Sequence, residues 1–160
     1  MKKIILLFTI LLSLNSCNGQ EKKTPQKGFT VIKTDEQWKK ELTAEQFEVL
    51  REKGTEAPFS GKYYSHFEKG YYACMACKKP LFTSDAKFNT DCGWPSFDQA
   101  IRGSVVYKTD SSFGMDRTEV MCANCGGHLG HVFDDGPIKT TGKRFCTNSV
   151  SIEFVPKKII

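Results

Sequence analysis

Two Cys-x-x-Cys pairs, Cys74-Met75-Ala76-Cys77 and Cys122-Ala123-Asn124-Cys125, restrict the folding of this chain more than any other feature. Thiols two residues apart sit on one turn and aim both sulfurs at one point, so two such turns make a closed tetrahedral four-thiolate site that suits zinc. The protein would fill all four coordination positions, which makes the expected Zn2+ structural. The 44 residues between the pairs make the ion a clip joining distant parts of one domain, and closing a long loop restricts the unfolded chain more than closing a short one. Disulfides are the competing use, open to an exported chain. A thioredoxin-like redox pair is the other, but neither copy stands in an evident strand-to-helix βαβ setting.

Export is what the N-terminus spells. Lys2 and Lys3 precede an apolar run from Ile4 to Leu12, and Leu14-Asn15-Ser16 leads into Cys17. The run is too short for an ordinary membrane-spanning helix, which needs about 20 apolar residues. Residues 1–16 therefore read as a signal peptide whose ending resembles a bacterial lipobox, with Cys17 the lipidated residue; cleavage by ordinary signal peptidase is the alternative. Residues 17–30 follow as the lipidated cysteine and a flexible tether, polar and Lys-rich from Asn18 to about Gly28. The expected product is an exported lipoprotein anchored to a bacterial cell-envelope membrane and facing the periplasm.

Residues 31–160 are enough for one core and too few for two. Once Lys2, Lys3, Lys22, Lys23, Lys27 and Glu21 are set aside, 18 basic and 17 acidic residues remain. Near-neutrality leaves no concentrated basic face and argues against a nucleic-acid partner. Thirteen Gly, six Pro and nineteen aromatics point to a turn-rich, mainly β domain of antiparallel sheets. Thr34-Asp35-Glu36-Gln37 and Thr43-Ala44-Glu45-Gln46 have capping-box spacing, with Trp38, Leu42, Phe47 and Leu50 as the apolar stripe. Two short N-terminal helices are expected, ending at Gly54 as C-cap. Strands are expected over Tyr71–Ala73, Ser104–Tyr107, Thr118–Met121, His131–Phe133 and Ser149–Val155, with turns at Asp91-Cys92-Gly93, Asp135-Gly136-Pro137 and Thr141-Gly142.

Subtracting Cys17 and the four ligands from the seven cysteines leaves Cys92 and Cys146 for chemistry. A thiolate nucleophile needs a lowered pKa, for which a nearby Arg or His is the usual means. Arg144 and Asn148, two residues either side of Cys146, would share its strand face. His128 and His131 would serve the thiol, bind a second metal or fill the core, and spacing alone does not choose. His66 reads as an ordinary surface or core histidine. Trp94 reads equally as a core aromatic.

Four blocks carry a resemblance to the peptide methionine-R-sulfoxide reductases, the MsrB family. They run from Phe88 to Phe97, from Glu119 to Cys125, from His128 to Pro137, and through Arg144-Phe145-Cys146-Thr147-Asn148-Ser149. The resemblance spans roughly residues 33–155 in the family's order. It implies that Cys146 is the catalytic and Cys92 the resolving cysteine, and that Cys74, Cys77, Cys122 and Cys125 hold zinc. Trp94 would hold the substrate methyl group, while His128, His131, Asn148 and Arg144 surround the sulfoxide and Asp135 orients Arg144 or a histidine. The implied reaction reduces the R epimer of methionine sulfoxide in oxidised proteins. In it Cys146 attacks the sulfoxide sulfur, His131 protonates the oxygen, and the resulting sulfenic acid condenses with Cys92 into a disulfide that a thioredoxin-type dithiol reopens. Two departures bear on turn geometry: Asp91 and Lys78 stand where the family commonly has glycine.

Two other classes remain. A non-enzymatic zinc-ribbon binding module gives Cys92 and Cys146 no task. A thiol oxidoreductase acting on disulfides favours redox thiols close in sequence, whereas these are 54 positions apart.

Overall fold

A computed structural model describes residues 28–158, so the expected signal peptide, Cys17 and the tether up to residue 27 lie outside the described residues. Within them the chain meets the folded body at Phe29: its ring lies on Gly126, and the Val31 amide donates to the Asn124 carbonyl at 2.9 Å.

Among the described residues two helices come first, α1 (Asp35–Glu41) and α2 (Ala44–Glu52), both started by complete capping boxes. The Gln37 and Gln46 amides donate to the Thr34 and Thr43 hydroxyls at 3.3 and 3.2 Å, and each Gln side chain accepts the threonine's own amide. Caps of this kind contribute about 1 kcal/mol each. Trp38, Leu42, Phe47 and Leu50 are all buried, as the stripe requires. The C-cap is Lys53, with φ 63°, one residue before the expected Gly54. Gly54 instead donates its amide to the Glu48 carbonyl at 3.0 Å, in a tight approach where a side chain would crowd Glu48. A left-handed lysine costs roughly 1–2 kcal/mol, and its side chain is engaged in the site described below.

Nine strands follow among the described residues: β1 (Gly70–Cys74), β2 (Pro80–Thr83), β3 (Lys87–Phe88), β4 (Ser96–Phe97), β5 (Val105–Asp110), β6 (Arg117–Cys122), β7 (His128–Phe133), β8 (Arg144–Thr147) and β9 (Ile152–Pro156). They form two antiparallel sheets, ordered β2-β1-β9 and β3-β4-β8-β7-β6-β5. Tyr72, Phe82 and Phe97 join the sheets, with Phe82 stacked on Phe97 at 4.3 Å, and α2 packs on β7. The mainly β expectation therefore holds. The strand expected over Ser149–Val155 begins only at Ile152, because Ser149–Ser151 make a 3-10 turn. Glu56 causes this: its carboxylate accepts the amides of Ser149 and Val150 at 2.7 and 3.0 Å and removes them from any ladder. No helix among the described residues is long and apolar enough to cross a membrane.

Candidate active site

The four paired cysteines meet at the end of β1 and at the turn between β6 and β7. Their sulfurs all lie within 4.8 Å of one another, with Cys74–Cys125 at 3.7 Å and Cys77–Cys122 at 3.6 Å. A tetrahedral ion with metal–sulfur bonds of about 2.3 Å would set its sulfurs about 3.8 Å apart. The cluster therefore fits a metal ion and offers it no open position. The two turns are alike. Lys78, φ 62°, donates its amide to the Cys74 carbonyl at 2.8 Å, and Gly126, φ 70°, does the same to Cys122 at 2.9 Å. Lysine thus holds the left-handed position where glycine was the expected occupant, with its ammonium on Glu153 at 2.7 Å. Asp91, the other departure, needs no such conformation: the positive φ in that loop belongs to Gly93.

Cys146 lies on β8 opposite Ser96 of β4 and His131 of β7. The loop between β3 and β4 brings Cys92 back over it, so the two sulfurs stand 3.9 Å apart despite 54 residues of separation. Thr90 and Ser96 hydroxyls lie 3.0 and 3.4 Å from the Cys92 sulfur. At this distance either thiol can donate a hydrogen bond to the other. The hydrogen bond from Cys146, helped by Ser96 and Thr90 against the effect of burial, pulls Cys92 down to about 4. Cys146 is pushed up, first by Cys92 and then by its deeper burial, with Arg144 opposing. The lowered pKa looked for at Cys146 therefore falls on its partner in the resting pair.

Arg144 reaches Asp135 with two parallel hydrogen bonds of 2.8 Å and lies 4.6 Å over the Phe133 ring, so Asp135 orients the arginine and not a histidine. Asn148 departs from the expected arrangement. β8 ends at Thr147, and the buried Asn148 amide accepts from the Glu56 backbone at 3.1 Å and donates to the Leu129 carbonyl at 3.2 Å. Trp94 is half-buried, with its indole N–H donated to the Glu56 carbonyl at 3.1 Å. His66 packs among Tyr63, Tyr72 and Phe154, away from the thiols.

The two histidines meet through a register slip. His131 pairs with Glu119 and His128 with Met121, which leaves Leu129 as an extra residue on β7. Residues three apart on a regular strand face opposite ways. The bulge turns the rings to one side, 5.5 Å apart and edge to face. His131 Nε2 contacts Asp110 at 2.7 Å, and Asp110 also takes Arg117 at 2.8 Å. Burial lowers the His131 pKa, with Asp110 opposing. His128 Nδ1 contacts Glu119 at 2.8 Å.

Glu56, Asp110 and Glu119 were not singled out from the sequence. Glu119 lies within the block from Glu119 to Cys125, whereas nothing local marks Glu56, whose amide and carboxylate partners are 92 to 94 residues away.

A β domain clipped by four thiols, with a separate thiol pair and paired histidines on one sheet, defines a narrow class of cysteine-dependent proteins. The SelR domain matches residues 42–156, and the chain belongs to that family. Curated relatives named peptide methionine sulfoxide reductase MsrB include that of Leptospira interrogans, 55% identical over 127 residues, 79% of this chain and 96% of that protein. Those of Agrobacterium fabrum, 54% identical over 79% of this chain and 93% of theirs, and Methanosarcina barkeri, 57% over 78% and 87%, are similar.

Proposed function

We propose that this chain is an enzyme that reduces the R epimer of methionine sulfoxide in oxidised proteins, with Cys146 as nucleophile and Cys92 as resolving thiol. The observation that carries the reading is the approach of the two sulfurs to 3.9 Å beside His131. A zinc-ribbon binding module leaves that pair unexplained.

A proton passes from Cys146 to Cys92 across the contact between the two sulfurs, a transfer that Arg144 favours. The Cys146 thiolate attacks the sulfoxide sulfur while the oxygen takes a proton from His131, which makes it a competent leaving group. Oxygen passes to Cys146 as a sulfenic acid and the thioether departs. The Cys92 thiol attacks that sulfur, expels water and closes a disulfide, which a thioredoxin-type dithiol reopens by exchange. Trp94, held by Glu56, receives the substrate methyl group. Zinc, when bound by Cys74, Cys77, Cys122 and Cys125, supplies a structural clip between the two sheets and takes no part in the reaction.

The test is purified protein with dithiothreitol and a peptide carrying both sulfoxide epimers. Loss of the R epimer alone is expected; reduction of neither, or of S alone, would overturn the reading. The signal segment and Cys17 support a further reading as an exported, lipid-anchored protein. In bacterial cells Cys17→Ser should move the protein from the membrane to the soluble fraction, and retention there would remove the anchor.

A further inference from the structure

We infer that Glu119 and Lys53 are positioning residues for this reaction: the Lys53 ammonium secures the buried Glu119 carboxylate, which holds His128 by Nδ1 and leaves Nε2 free for the sulfoxide oxygen. The inference rests on the proposed reduction at Cys146.

Glu119 is 1% exposed, yet both carboxylate oxygens are used: Oε1 contacts His128 Nδ1 at 2.8 Å and Oε2 contacts Lys53 Nζ at 2.5 Å. A lone carboxylate in such surroundings would rather be neutral. Here burial pulls its pKa upward, but hydrogen bonds from His128 and Lys53 outweigh it and keep the group below the ordinary carboxylate value. The side chain is therefore an anion at neutral pH.

That anion selects one tautomer of His128, with hydrogen on Nδ1. His128 is buried, and among the described residues Nε2 has no hydrogen-bond partner. The bulge at Leu129 points the ring to the side of His131, which stands opposite Cys146. A nitrogen in this place, beside His131 and held in a fixed orientation by the Glu119 carboxylate, is set to hydrogen-bond the reacting oxygen.

Lys53 explains its own conformation in this arrangement. It closes α2 in the left-handed region with a glycine next in line, and the turn carries its ammonium to Glu119, 66 residues on. An ion pair whose lysine stands half in solvent is a weak stabiliser compared with apolar packing, so stability alone is a poor account of this cluster. The charged and titratable groups around His128 are Glu119 on β6, Lys53 from α2, His131 with Asp110 and Arg117 behind it, and Cys146 on β8.

Two variants and three readouts test this. Glu119→Gln removes the negative charge and Lys53→Met removes the positive one, so their electrostatic effects have opposite sign. In single turnover with the R-sulfoxide peptide, Glu119→Gln should lose about tenfold or more in maximal rate with KM within twofold. Its pH–rate profile should move to lower pH and that of Lys53→Met to higher pH. Nitrogen-detected NMR should show the Nδ1–H tautomer of His128 in the parent and a mixture in Glu119→Gln. Shifts in the same direction, or an unchanged His128 tautomer, would overturn the inference. Lys53 is half-exposed, so its variant keeps the test alive should Glu119→Gln fail to fold. The NMR readout needs no activity, so an unaltered His128 tautomer in an active protein overturns this inference alone, whereas a parent that reduces no sulfoxide overturns the proposed function and this inference with it.

Discussion

Cys92 and Cys146 face each other at 3.9 Å as free thiols, one supplied by a loop and the other by strand β8. Disulfide closure brings sulfurs to about 2.05 Å, a movement of about 2 Å that a loop residue can make. Cys146→Ser should therefore abolish reduction altogether. Cys92→Ser should complete one turnover and then stop when a thioredoxin-type dithiol is the only reductant. Mass analysis of the parent after substrate without reductant should find a Cys92–Cys146 bridge. Full dithiol-dependent turnover by Cys92→Ser would end its resolving role.

The four-thiol cluster has a separate test. One zinc per chain is expected, unchanged in Cys92→Ser and Cys146→Ser. Because structural zinc binding contributes roughly 10 kcal/mol or more to folding, chelation or Cys74→Ser should unfold the domain and not merely slow it. Circular dichroism and metal analysis would decide; an active, folded and metal-free protein would contradict the clip. Lys78→Gly should fold at least as well as the parent, since glycine suits the φ of 62° there.

The pH dependence follows from His131. Burial lowers its pKa while Asp110 holds it up. A depressed folded pKa means that the neutral form predominates at pH 7, and that its contribution to stability is present above the unfolded value of about 6.5 and lost as pH falls. As the proposed proton donor, His131 should make the single-turnover rate rise as pH falls from 8 toward 6. Asp110→Asn removes the partner that favours the imidazolium, so the rise should move to lower pH and the rate at pH 7 should drop about tenfold. An unmoved profile would remove His131 as donor.

Local chemistry was readable from the sequence and register was not. Both capping boxes and both cysteine turns are spelled by residues within three or four positions, and all four formed. The pairing of Cys92 with Cys146 was reached by subtraction and by resemblance, because contact across 54 residues leaves no local trace. The shared side of His128 and His131 depends on one unpaired residue in β7, which no periodicity reveals. β3 and β4 are two residues long, too short for an alternating pattern. Asn148 looked like part of the Cys146 strand because nothing near it announces Glu56.

Glu56 joins three parts of the candidate site: its carboxylate fixes the turn after Asn148, its amide holds the Asn148 side chain, and its carbonyl holds Trp94. Glu56→Gln would turn one of its two acceptors into a donor facing a backbone N–H. The expected cost is about 1–3 kcal/mol for an unsatisfied buried group, read as a lower denaturant midpoint. KM for the sulfoxide peptide should rise as Trp94 loosens, and an unaltered KM would detach Glu56 from the substrate side.

Gly130 offers the sharpest test of how the histidines reach the thiol. Its φ is 151°, and a Cβ there would stand 2.0 Å from the Cys146 carbonyl oxygen and 3.0 Å from its carbon. Both contacts are with backbone, so no side chain can swing aside. Gly130→Ala must push β7 away from β8 at the one place where His131 is opposite Cys146. The cost should be about 3 kcal/mol or more. Because the movement opens the gap between histidine and sulfur, the single-turnover rate should fall further than the loss of folded protein explains. Gly142→Ala, at φ 68° with open space around it, should cost only about 1–2 kcal/mol of backbone strain and leave the rate of the folded fraction intact. Equal loss of rate per folded molecule in the two variants would separate the bulge from the chemistry.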